Sequence, residues 1–447
     1  MLVRQLFCGL LLFAVASPAT AQLDGFREPI PTHQRGALPD ATTGAVTGLN
    51  SFGYDLFSQL KASDNALISP LSITTAFGMA YAGAAGGTAH EMERVFGFSS
   101  DTHVGLGSLI ADLNTERDGR EMRIANRVFA QEGLHLKPGF EAINRDSYES
   151  PIERLNFYVD TEASREHIND WVEEQTNDRI KDLLPGGSVT QDTRVVLTNA
   201  VYLNSLWKHE FLEQSTRDRD FTLGDGSVAT ASMMHQTDTF RYGEFDGYQM
   251  LEMPYAGDDL SMVVILPDEA DGLKELVDAY DEERLESDFD SLSHEQVRVA
   301  FPKFEYEATM SLKNPLVEMG LTESFSNGAD FSNLADGSFA ISDVLHKTFI
   351  DVSESGTEAA AATAIAIGLT SVLPDPPEPK EFTADQSFLF AIRDNHSDAL
   401  MFLGQLTDPS SDKVVMSYET TSTVPEPSAW LMAMAALACC TGSRRSS

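Results

Sequence analysis

The sequence predicts one α+β domain in which helices come first and strands dominate later. An apolar repeat at helical spacing runs from Val46 to Leu60, which is typical of an amphipathic helix. Farther along come β-rich runs with few charges, at 194–203, 260–266 and 296–301. There is no internal repeat in the sequence, and helices followed by strands favour α+β over a doubly wound sheet.

The first 21 residues, 1–21, are expected to be a signal peptide. Arg4 precedes an apolar stretch over 6–16, and Ala19-Thr20-Ala21 has the small-x-small pattern of a signal-peptidase site. A membrane anchor is the alternative, but the stretch is well short of the roughly 20 residues that a spanning helix needs. We therefore expect export, with mature protein from Gln22.

Residues 22–44 are predicted to be a flexible lead-in, because they are rich in Pro, Gly and polar residues. The three cysteines, Cys8, Cys439 and Cys440, all lie near the termini, so the domain between has none. An exported domain without disulfides must be stabilised by its own core, which a chain this long can supply.

The net charge of −38 repels nucleic acid and anionic surfaces. Neither a nucleic-acid partner nor a glycosaminoglycan-like cofactor is expected.

The C-terminal end, 424–447, resembles a PEP-CTERM sorting tail. Pro425-Glu426-Pro427 is followed by an apolar run over 429–440 and by Arg444-Arg445. The resemblance implies processing by sorting machinery of the exosortase type, with a transient membrane stop, because the arginines cannot follow the apolar run through a bilayer. The run is short for a full span, which leaves a disordered hydrophobic tail as the alternative. The Ser-, Thr-, Asp- and Glu-rich stretch 410–423 is predicted to be a polar spacer.

Known catalytic signatures are all incomplete in this sequence. Three His-Glu pairs, at 90–91, 209–210 and 294–295, lack the second histidine four residues on that a zinc-protease helix needs. The glycine-rich segments 83–88 and 186–190 complete neither a nucleotide-binding loop nor a nucleophile elbow. We therefore expect no enzyme, no cofactor and no metal site.

A series of motifs, in the same chain order, resembles those of the serpin family of protease inhibitors. The run at 65–73, Asn-Ala-Leu-Ile-Ser-Pro-Leu-Ser-Ile, is the most specific. The other matching segments are 83–88, 168–172, 197–202, 250–255, 301–304, 344–347, 354–357 and 382–385. The resemblance covers roughly 45–409. It implies one serpin domain with three β-sheets, about eight or nine helices and an exposed reactive-centre loop.

The resemblance also implies roles for polar residues under and above the large sheet. The family's shutter, a cluster where strands must part, would contain Ser69, Ser72, Asn199 and His346. A lone histidine is more typical of a satisfied core position, and the three matching partners favour the shutter. The breach, where the loop begins to enter, would contain Trp207, Lys303 and Glu354. We expect Lys303 and Glu354 to form a surface ion pair that contributes on the order of 0 to 1 kcal/mol.

Residues 356–373 have the composition of a loop that can become a middle strand. Pro374 is the first proline, so no ladder hydrogen bond is missing before it. Alanines at 359–362 would equally suit a short helix on local sequence alone. The predicted hinge consists of Glu354, Gly356, Thr357, Glu358, Ala359, Ala360, Ala361 and Ala362. Because side chains alternate along a strand, Glu358 would lie on the outward face. The face expected to be buried would carry Thr357, Ala359, Ala361 and Thr363.

The resemblance implies an inhibitor that a serine, or cysteine, endopeptidase cuts once and that traps this enzyme as the loop inserts. Family spacing from Gly356 puts the cut between Thr370 and Ser371, or one residue earlier, after Leu369. The absence of Lys and Arg from 357–373 disfavours trypsin-like targets. Thr370 suits elastase-like or subtilisin-like enzymes, and Leu369 suits chymotrypsin-like ones.

The expected partner is therefore the target protease, and the protein is expected to be a monomer, extracellular or associated with the cell envelope. The alternative is a serpin that does not inhibit and acts as a chaperone, carrier or storage protein. The hinge of such a protein would be expected to carry bulky, charged or proline residues.

Overall fold

The computed structural model describes residues 38–60, 64–117, 120–279, 282–357 and 378–416. The helices in these ranges are α1 Asp40–Phe57, α2 Pro70–Tyr81, α3 Gly86–Phe96, α4 Thr102–Leu113, α5 Pro138–Tyr148, α6 Thr161–Gln175, α7 Leu273–Ala279, α8 Glu282–Asp290 and α9 Lys313–Glu318. The strands are β1 Ala66–Ile68, β2 Arg120–Gln131, β3 Ile152–Leu155, β4 Val195–Leu206, β5 Arg217–Thr222, β6 Val228–Phe245, β7 Tyr248–Pro254, β8 Leu260–Pro267, β9 Ser293–Pro302, β10 Phe304–Ser311, β11 Leu345–Val352, β12 Gly356–Thr357, β13 Lys380–Thr383, β14 Phe388–Asp394, β15 Leu400–Leu406 and β16 Lys413–Val415. Within the described ranges, no helix is long and apolar enough to cross a membrane.

The N-terminal helices form around the predicted apolar repeat. Leu49, Phe52 and Leu56 of α1 are buried in the main core. The helix begins at Asp40, however, so the predicted lead-in, 22–44, extends too far. The first turns bury the polar Thr42, which an apolar repeat cannot reveal.

Seven of the described strands form the sheet that contains the candidate site, in the order β16-β10-β11-β12-β4-β2-β3. β4 lies inside this sheet, as its low charge predicted. It pairs antiparallel with β2 along nearly its whole length. On the other side of the sheet, β10 pairs antiparallel with β11.

The remaining nine strands form a second network, in the order β1-β15-β14-β8-β7-β6-β9-β13, with β5 paired to β6. The long strand β6 joins two sheets, because it pairs with β5 and β9 through most of its length and with β7 through its last five residues. β8 and β15 are buried at every position, which places them in the core of the domain. The predicted α+β class is confirmed.

The C-terminal boundary of the domain lies later than the sequence indicated. β16, Lys413–Val415, pairs in parallel with β10 and forms an edge of the seven-stranded sheet. Met416 is buried behind it. The predicted spacer, 410–423, therefore starts too early, because an edge strand with exposed side chains such as Val415 has no apolar pattern.

Candidate functional site at the open end of the seven-stranded sheet

The chain reverses direction immediately after β11 and enters the sheet beside it. The amide of Ser353 donates to the carbonyl of Gly356 at 2.9 Å, which closes a tight turn. β12 then pairs with β11 through Val352 and Thr357, and with β4 through Gly356–Leu206 and Thr357–Ser205. In the described part of the chain, no ladder pairs β4 with β11 directly. The two residues of β12 therefore separate these strands at this end.

Gly356 is required by the close approach of β4. Its φ is +153°, which L side chains rarely adopt. A Cβ at this position would lie 2.1 Å from the carbonyl oxygen of Ser205 and 2.7 Å from the Cα of Leu206. Both neighbours are backbone atoms of a paired strand, so neither can move aside cheaply.

Thr357 points into the core, on the face that strand alternation predicted. It is 4% exposed, and its Oγ1 lies 2.7 Å from the Oη of Tyr255. Tyr255 is fully buried, and burial raises the pKa of its phenol, which stays neutral and able to hydrogen-bond. The ring of Tyr255 stacks on Trp207 with centroids 4.5 Å apart.

Trp207 holds the turn against the end of β4. Its indole Nε1 donates to the carbonyl of Ser353 at 2.9 Å, and its amide donates to the carbonyl of Ser355 at 2.9 Å. The predicted breach tryptophan therefore contacts the residues that aim β12 into the sheet.

Glu354 lies at the apex of the same turn. Its Oε2 lies 2.7 Å from the Nζ of Lys303, and its Oε1 accepts a hydrogen bond from Thr216 at 2.7 Å. Burial alone would raise the pKa of Glu354, but the hydrogen bonds from Lys303 and Thr216 outweigh burial and hold the pKa below its usual range. The expectation of a surface pair is wrong for the carboxylate, since Glu354 is 8% exposed.

The predicted shutter residues divide into two groups. Ser69 caps α2, where its Oγ accepts from the amide of Ser72 at 3.2 Å and donates to the carbonyl of Met401 at 2.7 Å. The amide of Ser69 donates to the Nε2 of His346 at 3.0 Å, so the imidazole accepts there. Burial lowers the pKa of His346 to about 4, which keeps the ring neutral near neutral pH.

Asn199 forms its side-chain hydrogen bond away from the other three predicted shutter residues. Its Nδ2 donates to the Oδ1 of Asn126, the residue opposite it on β2, at 2.7 Å. Its own Oδ1 is buried and has no hydrogen-bond partner among the described residues. A buried amide oxygen without a partner is costly, so this atom is a candidate acceptor for a further donor.

A small cavity of about 20 Å³ lies between β4 and β11, next to Thr357. Val201 and Leu203 line it from β4, and Phe349 and Ile350 line it from β11. Beyond Thr357, the last described residue of the hinge, no described strand lies between β4 and β11. The other predicted hinge residues, 358–362, and the bonds at 369–371 lie outside the described residues.

Sequence reasoning did not assign roles to Tyr255, Thr216 or Asn126. Tyr255 is the last residue of the serpin-like motif 250–255, so the motif was the signal that could have identified it as a site residue. No sequence signal marks Thr216 or Asn126, because each forms its hydrogen bond with a residue more than 70 positions away in the chain.

Comparisons with known proteins agree with this architecture. The family model described as Serpin (serine protease inhibitor) matches residues 47–409. An uncharacterized serpin-like protein of Thermococcus kodakarensis is 37% identical over 401 residues, which cover 88% of this chain and 92% of that protein. A leukocyte elastase inhibitor of Bos taurus is 37% identical over 371 residues, which cover 80% and 97% of the two chains. A loop-inserted structure of a cleaved ovalbumin mutant superimposes with a TM-score of 0.74 at 27% identity and covers 82% of this chain and 100% of that one. The chain belongs to the serpin family.

Proposed function

We propose that this protein inhibits serine endopeptidases, and cysteine endopeptidases by the same acyl chemistry, as a suicide substrate. A target enzyme would cut the loop once and form an acyl-enzyme. The segment after Thr357 would then insert between β4 and β11 before the acyl bond is hydrolysed. No catalytic residue of the inhibitor is needed for this outcome.

The observation that carries the proposal is the position of β12. Its two residues already pair with β4 on one side and β11 on the other. The described residues form no ladder between β4 and β11 beyond this point, so we infer that a further antiparallel strand can pair with both. Insertion would therefore continue a pairing that has begun.

Extending the two observed registers assigns partners to the segment that follows. Ala359 would lie opposite Leu203 and Ile350, and Ala361 would lie opposite Val201 and Thr348. Leu203, Ile350, Val201 and Thr348 are all buried, so the inward positions of the new strand require small or apolar side chains. The sequence provides alanine at both.

The same registers would bring Thr363 between Asn199 and His346. A threonine hydroxyl can both donate and accept, so it suits the unpaired Oδ1 of Asn199. In this register, Asn199 and His346 would both contact the inserted strand through Thr363. The described contacts alone do not bring these two shutter residues together.

Insertion of residues 357–370 would move an attached protease far enough to distort it. About fourteen residues at roughly 3.3 Å each would span about 45 Å. β4 offers antiparallel partners over most of this distance, since its first residue, Val195, would lie opposite Ile367.

We propose elastase-like or subtilisin-like enzymes as targets, with cleavage between Thr370 and Ser371. The absence of basic residues from 357–373 supports this choice, because a trypsin-like pocket would have no partner. A relative in cattle carries the name leukocyte elastase inhibitor, which is in line with it.

Trapping is tested by mixing the protein with elastase-like, subtilisin-like, chymotrypsin-like and trypsin-like enzymes and looking for complexes that survive denaturation. Ala361→Arg should abolish the complex and leave the loop cleavable, since it would place a charge on the buried face. Glu358→Arg is the matched control and should still trap, because the same registers would place this outward position between Asn204 and Asp351, which are only half-buried. Cleavage of the unmodified protein without any complex would refute inhibition and favour a non-inhibitory serpin.

We also propose that the protein is exported as a monomer and that sorting machinery processes its tail. The segments that support this, 1–21 and 424–447, lie outside the described residues. The intact mass of the protein released by its own cells tests it. A mass that begins at Gln22 and lacks the tail is expected, whereas the full-length mass would contradict both signals.

A further inference from the structure

Three side chains with metal-binding atoms converge where α4 ends against the turn between β14 and β15. Asp112 lies in the last turn of α4, Asp394 ends β14, and His396 lies in the turn that follows. One potential ligand atom from each lies within 4.8 Å of the others. The Nδ1 of His396 is 3.6 Å from the Oδ2 of Asp112, a separation suited to two ligands of one ion.

The carboxylate of Asp394 provides the independent sign of a ligand. Asp394 is 0% exposed, and its Oδ2 accepts from both the amide and the hydroxyl of Ser397 at 2.7 Å. Its Oδ1 is buried and has no hydrogen-bond partner among the described residues. An unpaired carboxylate oxygen is among the costliest atoms to bury, and a cation would satisfy it.

Neighbouring groups hold these side chains in place. The Nη2 of Arg117 is 3.0 Å from the Oδ1 of Asp112, which leaves the Oδ2 turned toward His396. Ser397 fixes Asp394 in the same way. Such contacts to the non-ligating atoms are typical of metal sites, where they orient the ligands.

The local charge also favours a divalent cation. Arg117 is paired with Asp259 as well, with its Nε 3.4 Å from the Oδ2. The guanidinium of Arg117 is therefore shared between two carboxylates, and Asp394 adds a third negative charge. One imidazole nitrogen with carboxylate oxygens suits zinc, with water in a fourth position, better than calcium or magnesium, which prefer oxygen alone.

We propose that Asp112, Asp394 and His396 bind one zinc ion or a similar divalent transition-metal ion. The ion would fasten the end of α4 to the β14–β15 turn. No spacing motif marks this site, because its ligands come from segments more than 280 residues apart.

Zinc chloride titrated calorimetrically into the full chain, freed of metal by a chelator, tests the site. One ion should bind to the cluster and raise the thermal midpoint of the protein. His396→Ala and Asp112→Asn should each weaken this binding at least tenfold. Asn at position 112 keeps an acceptor for Arg117, so this variant should fold even if the histidine variant does not. Asp394 is left unchanged because Ser397 depends on it.

His135→Ala is the control, since His135 is exposed and lies outside the cluster. It should bind zinc as the unmodified protein does. The proposal is overturned if the protein does not bind zinc, or if both cluster variants bind it as tightly as the control. Zinc held by Cys439 and Cys440 would give the latter result.

Discussion

Replacing Gly356 by alanine tests whether β12 must occupy its place for trapping to succeed. A non-glycine residue at a φ of +153° costs about 1 to 3 kcal/mol. The added Cβ would also lie 2.1 Å from the carbonyl oxygen of Ser205, so the pairing with β4 cannot remain as it is. We expect the variant to relieve this strain by withdrawing β12 from β4 before cleavage, so that insertion must restore it. A penalty of this size would then slow insertion about 5- to 150-fold.

The assay is the ratio of released, cleaved inhibitor to covalent complex after reaction with a target protease. Hydrolysis of the acyl bond competes with insertion, so the ratio should rise by the factor that insertion slows. Gly133→Ala is the matched control, because Gly133 has a φ of +82° but an added Cβ there would meet no atom within 4 Å. The reasoning fails if Gly356→Ala traps as efficiently as the control.

Three further predictions concern the buried polar contacts. His346 has a pKa lowered to about 4, so its stabilising contribution is complete above the ordinary value of 6.5 and is lost as the pH falls toward 4. The loss of unfolding free energy would be about 3 kcal/mol. Thermal midpoints measured between pH 7.5 and 4 should therefore fall more steeply for the unmodified protein than for His346→Gln. Parallel curves would exclude His346 as the cause of the acid destabilisation. Lys303 helps to hold the pKa of Glu354 below its ordinary value of 4.5. The contribution of Glu354 to the stability of the fold is therefore complete above pH 4.5 and is lost as the pH falls through the lowered pKa. Lys303→Met should therefore raise the pKa of Glu354 measured by carboxyl NMR, and an unchanged pKa would contradict the pairing. Tyr255→Phe should destabilise the protein by about 1 to 3 kcal/mol in denaturant unfolding, because it strands the buried hydroxyl of Thr357; adding Thr357→Val should recover part of the loss, and strictly additive losses would deny the contact.

The sequence was sufficient for the α+β class and for three charge-poor strands, β4, β8 and β9. Charge-poor, β-rich runs such as the one at β4 lie inside the sheet, where both faces are covered, and this is why their pattern is clear. The ends of the domain were predicted less well. β16 belongs to it through backbone pairing with β10, and the first turn of α1 belongs to it through the buried Thr42, and neither feature produces an apolar repeat.

Partners of the site residues could be predicted only in part. The motif at 354–357 placed Glu354 in the hinge and the breach, but its hydrogen bond from Thr216 comes from a distant segment. Similarly, Asn199 bonds to Asn126 because β2 and β4 are in a register that no local pattern specifies. Tertiary register, rather than residue type, decides these contacts.

The backbone of β4 and β11 is where the central claim is tested most directly. Amide hydrogen exchange of these strands should be compared before and after a protease has cleaved the loop. Exchange should slow in 198–203 and 346–350, where a new strand would supply hydrogen bonds on both sides, while β8, already paired and buried, should not change. Equal exchange in β4 and β11 before and after cleavage would contradict loop insertion.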